Sequence, residues 1–336
     1  MKIKIDTQKF NAGLKALSKD YKILAPVALE HKGTCSDTSV VRYAQVSTVE
    51  EMEFSKKSDF SPKEVIFPIT QILFYFTEKE FKEKDIDDKK VIIFLRACDI
   101  NGIKRLDQIY LANGMDKDYY YKILREKVKF VLVVCRESFR NCFCVSMDSN
   151  KTDNYAMGMN ICEDEIQLEI KDEELNIFDG ENVDFEIDFV KENLFDVNIP
   201  DVDKLNLKEV ATSDIWEEYN SRCIACGRCN FVCPTCSCYT MQDVFYKENE
   251  NVGERRRVWA GCQVDGFTQM AGGHEFRKTK GERMRFKTMH KVYDFKKRFG
   301  YNMCVGCGRC DDACPQYISF SKCIENVADL VNKEDK

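Results

Sequence analysis

The chain has 336 residues, 44% of them apolar, and a net charge of −6. That length supports two or three domains with cores of their own. It excludes a small disulfide-stapled scaffold, and the acidic balance argues against a nucleic-acid partner. The N-terminus MKIKIDTQKF has no apolar signal core, and the longest apolar runs, VIIFL and FVLVVC, are far too short to cross a bilayer. Most of the eighteen cysteines are therefore read as metal ligands of a cytoplasmic protein with no membrane partner.

Residues 1–162 read as an α/β domain. Apolar segments at 22–28, 40–46 and 65–69 suit strands, and residues 91–95 form a continuous apolar run expected of a strand buried on both faces. Beyond Cys98, residues Ile103, Leu106, Ile109 and Tyr110 recur at helical spacing. A second helix, DYYYKILREK, leads into the apolar run 128–134, which ends at Cys135. Residues 163–205 are expected to form a separate acidic, β-rich segment, since QLEI, ELNIF and VDFEIDFV have strand composition. Between residues 163 and 204 there are sixteen acidic and three basic side chains. Residues 206–336 read as a mainly helical ferredoxin-type domain, with Phe286, Met289 and Tyr293 on one helical face and Ile324, Val327 and Val331 on another. The fold class is thus mixed, α+β: an α/β domain followed by a helical cluster domain.

Two cysteine quartets dominate that last domain. Cys223, Cys226, Cys229 and Cys233 precede Pro234, and Cys304, Cys307, Cys310 and Cys314 precede Pro315. Both fit C-x2-C-x2-C-x3-C-P, the run that binds 4Fe-4S clusters with the fourth cysteine crossing to the other cluster. The expected ligand sets are therefore Cys223, Cys226, Cys229 and Cys314 for one cluster, and Cys304, Cys307, Cys310 and Cys233 for the other. Zinc is the rival, but zinc ribbons use two separated pairs without a terminal proline. Between the quartets lies a basic stretch, residues 255–298, with thirteen basic and four acidic side chains. It is either a solvated helical surface or a positive segment that offsets cluster charge or docks an acidic partner.

A third cluster is expected on Cys98, Cys135, Cys142 and Cys144. Cys98 and Cys135 sit at the carboxyl ends of two expected strands, where α/β sheets place ligand sites, and NCFC supplies the other two thiols. The alternative is that all four are buried apolar side chains. Cys35, Cys162 and Cys323 are read as structural, and Cys236, Cys238 and Cys262 mainly as packing beside a cluster. No G-x-G-x-x-G, Walker loop or nucleophile–base constellation is present, and His31, His274 and His290 stand alone. The chain is expected to carry electrons and to perform no substrate chemistry by itself.

The segments RACDINGI, YLANGMDKDYY, NCFC, CIACGRCNFVCPTCSC, VWAGCQVDGFTQMAGGHEFR and CVGCGRC run from Arg96 to Cys310, a span that covers most of the chain beyond residue 90. In them the chain resembles the iron-sulfur subunit of the anaerobic sulfite reductases and, more broadly, the iron-sulfur beta subunits of soluble hydrogenases and sulfhydrogenases. The resemblance implies a three-part enzyme. A flavoprotein subunit holding FAD oxidises NADH, this subunit relays single electrons, and a sirohaem subunit reduces sulfite to sulfide. Ala97 stands where the hydrogenase relatives often have proline, which points to the sulfite branch. A hydrogenase-type beta subunit and a free-standing ferredoxin-like carrier are the alternatives.

Overall fold

A computed structural model of the chain describes residues 1–162 and 165–334. The first two residues of the expected acidic segment lie outside the described residues. In chain order the N-terminal part contains β1 (Lys2–Asp6), α1 (Thr7–Leu17), β2 (Tyr21–Leu29), β3 (Val40–Gln45), β4 (Thr70–Phe76) and β5 (Phe81–Glu83). There follow β6 (Lys90–Leu95), α2 (Ala97–Leu111), α3 (Tyr119–Glu126), β7 (Val128–Val133), β8 (Met157–Ile161), β9 (Glu165–Ile170) and β10 (Glu181–Asn182).

Eight of these strands form one sheet in the order β10-β1-β9-β8-β7-β6-β2-β3. Its centre, β2, β6, β7 and β8, is parallel, and the flanking pairs are antiparallel. The continuous apolar runs follow from this position. Alternate side chains divide between two cores: Ile92, Phe94, Val131 and Val133 pack with α1, whereas Ile93, Leu95, Phe130 and Leu132 pack with α2. Asp6 caps α1 by accepting from the Lys9 amide at 2.8 Å, and Asp118 caps α3 through Tyr121.

Three expectations are corrected. Residues 65–69 are not a strand: Pro62–Val65 is a 3-10 turn, and the strand starts at Thr70. Pro62 favours a helical first turn, and Pro68 has no N–H to give a ladder. Nor do residues 163–205 build a separate β segment. β9 pairs with β1 and β8 inside the main sheet, ELNIF contributes only the 3-10 turn Glu173–Leu175, and beyond β10 no strand occurs up to residue 205.

The cluster domain is mainly helical, as expected; the third correction concerns the basic stretch within it. The domain contains helices α4 (Leu207–Thr212), α5 (Glu217–Arg222) and α6 (Arg228–Phe231), then a long hairpin of β11 (Tyr239–Tyr246) and β12 (Asn249–Trp259). Helices α7 (Lys280–Met289), α8 (Phe295–Phe299), α9 (Arg309–Asp312) and α10 (Phe320–Glu334) complete it, with a π-turn at His290–Asp294 joining α7 to α8. The hairpin pairs through β12 with β4, giving a second sheet, β11-β12-β4-β5, that ties the segment between the quartets to the N-terminal part. β-branched and aromatic residues in YTMQDVFY favour this extended state. Trp259, Phe67 and Tyr110 pack where that sheet meets α2.

The basic stretch is accordingly not one surface helix. Arg257, on β12, is 1% exposed and pairs with Asp118 at 2.8 Å. Its guanidinium lies over the rings of Phe67, Tyr239 and Tyr110. Arg283, Lys287 and Lys291 are also buried.

Candidate metal centres

The two quartets adopt the same local form. Cys223 follows α5, Ala225 and Gly227 take left-handed φ values of 57° and 72°, and Cys229 lies on α6. In the second quartet Gly306 and Gly308 have φ of 60° and 69°, and Cys310 lies on α9. These reversals turn backbone amides toward sulfur: Ala225 donates to Cys223 Sγ and Gly306 to Cys304 Sγ, each at 3.4 Å. A loop of this shape wraps three thiolates around one face of a cube.

Cysteines of the two motifs approach one another. One cavity is lined by Cys223, Cys226 and Cys229 and, from the second motif, by Cys310 and Cys314, with Lys287, Met284, Ile318 and Phe320 closing it. Cys233 sits among the second quartet. Burial is the main cause that pushes the Cys304 thiol up to about 12 and the Cys307 thiol up to about 11, and the Cys233 charge adds to both and to Cys310. Metal binding to such thiols releases their protons. Among the described residues no three His, Cys, Asp or Glu side chains converge on a point that could hold a single metal ion.

The α/β domain brings the other expected ligands to the same place. Cys98 lies in the first turn of α2, Cys135 lies just beyond β7, and Cys142 and Cys144 lie in the following loop. Their thiols act on one another: Cys144 on Cys98, and Cys135 on both Cys142 and Cys144. Burial pushes Cys144 up to about 11 and holds Cys98 well above its usual range. Three donors meet these sulfurs: Arg96 Nη1 at 3.1 Å from Cys135, Asn193 Nδ2 at 3.6 Å from Cys144 and Lys57 Nζ at 3.7 Å from Cys142. The group adjoins the second quartet, since Cys142 Sγ donates to the Cys307 carbonyl at 3.4 Å and Phe143 N to that of Gly306 at 2.7 Å.

A buried ion pair fixes this junction. Arg309, beside Cys310, meets Asp99, beside Cys98, through two contacts of 2.6 and 2.8 Å and also binds Ser58.

Cys236 and Cys262 flank the Asn230 amide, which donates to their sulfurs at 3.5 and 3.4 Å. Lys63, 2% exposed, rests on the carbonyls of Asn230 and Cys236 and over Trp259. Burial lowers its pKa to about 8. Cys238 lies in the same neighbourhood, near Cys262. Cys323 is fully buried and donates to the Tyr219 hydroxyl at 2.9 Å, whereas Cys35 is exposed and Cys162 half-buried.

Sequence reasoning missed the buried lysines. Lys287 is 3% and Lys291 2% exposed; cysteine sulfurs lead the anionic groups acting on each, and the Asp311 carboxylate also acts on Lys287. Lys291 donates to Thr235 Oγ1 at 2.6 Å and to Cys233 Sγ at 3.6 Å. Lysine is almost never fully buried unless paired with an opposite charge. Thiolate-held iron-sulfur clusters are anionic, so the residues present fit the group. A 3.6-residue period around Lys287 and Lys291, one turn apart and facing the apolar side of the helix, was the available signal.

A family model for the 4Fe-4S dicluster domain matches residues 222–318. The sulfhydrogenase 2 subunit beta of Pyrococcus furiosus is 30% identical over 311 residues, which cover 88% of this chain and 91% of that protein. No described helix is long and apolar enough to cross a membrane. With its dicluster domain at the C-terminal end of a mixed α/β chain, this protein belongs to the sulfhydrogenase beta subunit family and is an iron-sulfur electron-transfer subunit.

Proposed function

We propose that the chain relays single electrons within a multi-subunit oxidoreductase, between a flavoprotein that oxidises NADH and a sirohaem subunit that reduces sulfite to sulfide. The observation that supports a relay is the row of thiol groups: the first quartet shares a cavity with Cys310 of the second, and the second adjoins Cys98 and Cys142. A nicotinamide releases two electrons together as hydride, whereas reduction of one sulfite to sulfide consumes six; one-electron carriers connect the two. Iron-sulfur potentials span roughly −700 to +450 mV, which covers that need. The sirohaem partner rests on the resemblance in RACDINGI, NCFC and the neighbouring segments. The sulfhydrogenase relative favours a second reading, a hydrogenase-type catalytic partner. Anaerobic purification from the native host, with subunits identified and sulfite and hydrogen activities assayed, separates the two. Sulfite reduction by this chain alone with an artificial donor would overturn the relay.

The ligand sets proposed are Cys223, Cys226, Cys229 and Cys314; Cys304, Cys307, Cys310 and Cys233; and Cys98, Cys135, Cys142 and Cys144. Three cubanes bring about twelve irons per chain, against about eight if the third set is only packing. A count near eight, with the third set alkylatable in the folded protein, removes the third cluster. Cys233→Ser is expected to disturb the cluster held mainly by the second quartet. Loss confined to the first quartet's cluster would refute the crossing.

A further inference from the structure

Lys291 occupies an unusual position in the backbone. The helix that begins at Lys280 widens into a π-turn over His290–Asp294, a local irregularity often found at functional sites. There the Lys291 carbonyl accepts from the amides of Met303 at 2.8 Å and Cys304 at 3.3 Å. Its ammonium, on the other side, reaches Cys233 Sγ and Thr235 Oγ1. One residue therefore grips both Cys304 and Cys233, which are far apart in sequence and belong to the same proposed ligand set.

Lys287 lies one turn earlier. It lines the cavity of the first quartet beside Cys229 and also feels the Cys310 sulfur of the second motif. Phe320 lies under its ammonium at 4.5 Å. Both side chains are shut away from water, so their charges act through a medium of low dielectric and are hardly screened by salt. A fixed positive charge beside a cluster favours its reduced, more negative state.

We propose that Lys287 and Lys291 are positioning residues that set the cluster potentials, Lys287 raising both and Lys291 chiefly the one that Cys233 joins. This rests on the crossed ligation proposed above. Reduction adds one electron to a cluster and no bond is made or broken. The lysine keeps its proton in both states.

The test is a spectroscopically monitored redox titration of the anaerobically prepared holoprotein, with iron counted in every sample. Lys287→Gln keeps a hydrogen-bond donor without the charge and is expected to make both clusters about tenfold harder to reduce, about 59 mV for a one-electron couple. Lys291→Gln is expected to shift one cluster by that amount, and Lys287→Arg and Lys291→Arg to stay near the parent. Normal iron with unmoved potentials in both Gln variants overturns the proposal and leaves the ligation reading standing. If the Gln variants lose iron and the Arg variants keep it, the charge is a condition of cluster binding, which supports the proposal. Loss of iron in all four makes the role one of packing and overturns it. A parent protein without cubanes removes the ligation reading, and this proposal with it.

Discussion

The two quartets share the spelling C-x2-C-G-R-C, and their loops share left-handed backbone at matching positions, yet they meet different surroundings. In the first, Cys226 is exposed between Ile224 and Arg228, also exposed, and Tyr317 stands open nearby. In the second, Cys307 is buried and the loop is pressed against the α/β domain. An added Cβ at Gly306 would lie 2.4 Å from the Phe143 carbonyl oxygen, and one at Gly308 would lie 2.2 Å from that of Asn141. The second arginine, Arg309, is buried in an ion pair with Asp99. The same motif thus serves as a solvent-facing end in one case and as a joint to the thiols of α2 in the other. Local spelling determines the loop; the partner surface determines its place in the relay.

The sharpest way to break this comparison is at the arginines. Arg309→Ala strands Asp99 in the interior, and removing one member of a buried pair costs about 3–5 kcal/mol. Arg228→Ala, at the matching exposed position, is expected to stay within about 0.5 kcal/mol. Urea titration of the two holoproteins, followed by loss of the visible cluster absorbance, measures the gap. Equal midpoints would mean that the junction carries no stability. Gly306→Ala comes next. Its methyl group meets fixed backbone and the residue keeps a left-handed φ, so about 2–4 kcal/mol is expected from overpacking and strain together. The variant is also expected to weaken the contact between the second quartet and Cys142, seen as faster loss of iron to a chelator.

Much of this was legible in the sequence because the deciding forces are local. The spacing of Cys223 to Cys233 and of Cys304 to Cys314 encodes the cluster loops directly, and the unbroken run in β6 encodes burial on both faces. What remained hidden depended on partners distant in the chain. The arginines at 255, 256 and 257 look alike as letters. On β12, however, Arg255 pairs with Asp243 at the exposed part of the hairpin, whereas Arg257 is buried against Asp118 and an aromatic cage. Two residues apart on a strand they share a face, and what separates them is the cover that α3 and the aromatic rings give to Arg257 alone. β11 and β12 were missed for the same reason, since β12 finds its second partner, β4, some 180 residues earlier. The third thiol group could be anticipated because strand ends of a parallel sheet fall at one edge.

The smallest effect is expected where the quartets differ by one methyl group. Ala225 holds a φ of 57°, and the matching residue in the second loop, Gly306, holds 60°. A left-handed conformation costs a non-glycine residue roughly 1–2 kcal/mol, which Ala225→Gly would relieve. Glycine also loses more freedom on folding, about 0.5–1 kcal/mol relative to alanine, and the two effects oppose. The net result is a stabilisation of at most about 1.5 kcal/mol, against the marked loss at Gly306→Ala, from reciprocal exchanges at equivalent positions. The second loop has no room for a methyl group at Gly306, whose Cβ would meet the Phe143 backbone. The same urea titration reads both variants. A large loss at Ala225→Gly would show that the methyl group is held by contacts of its own, and the first loop would then be no freer than the second.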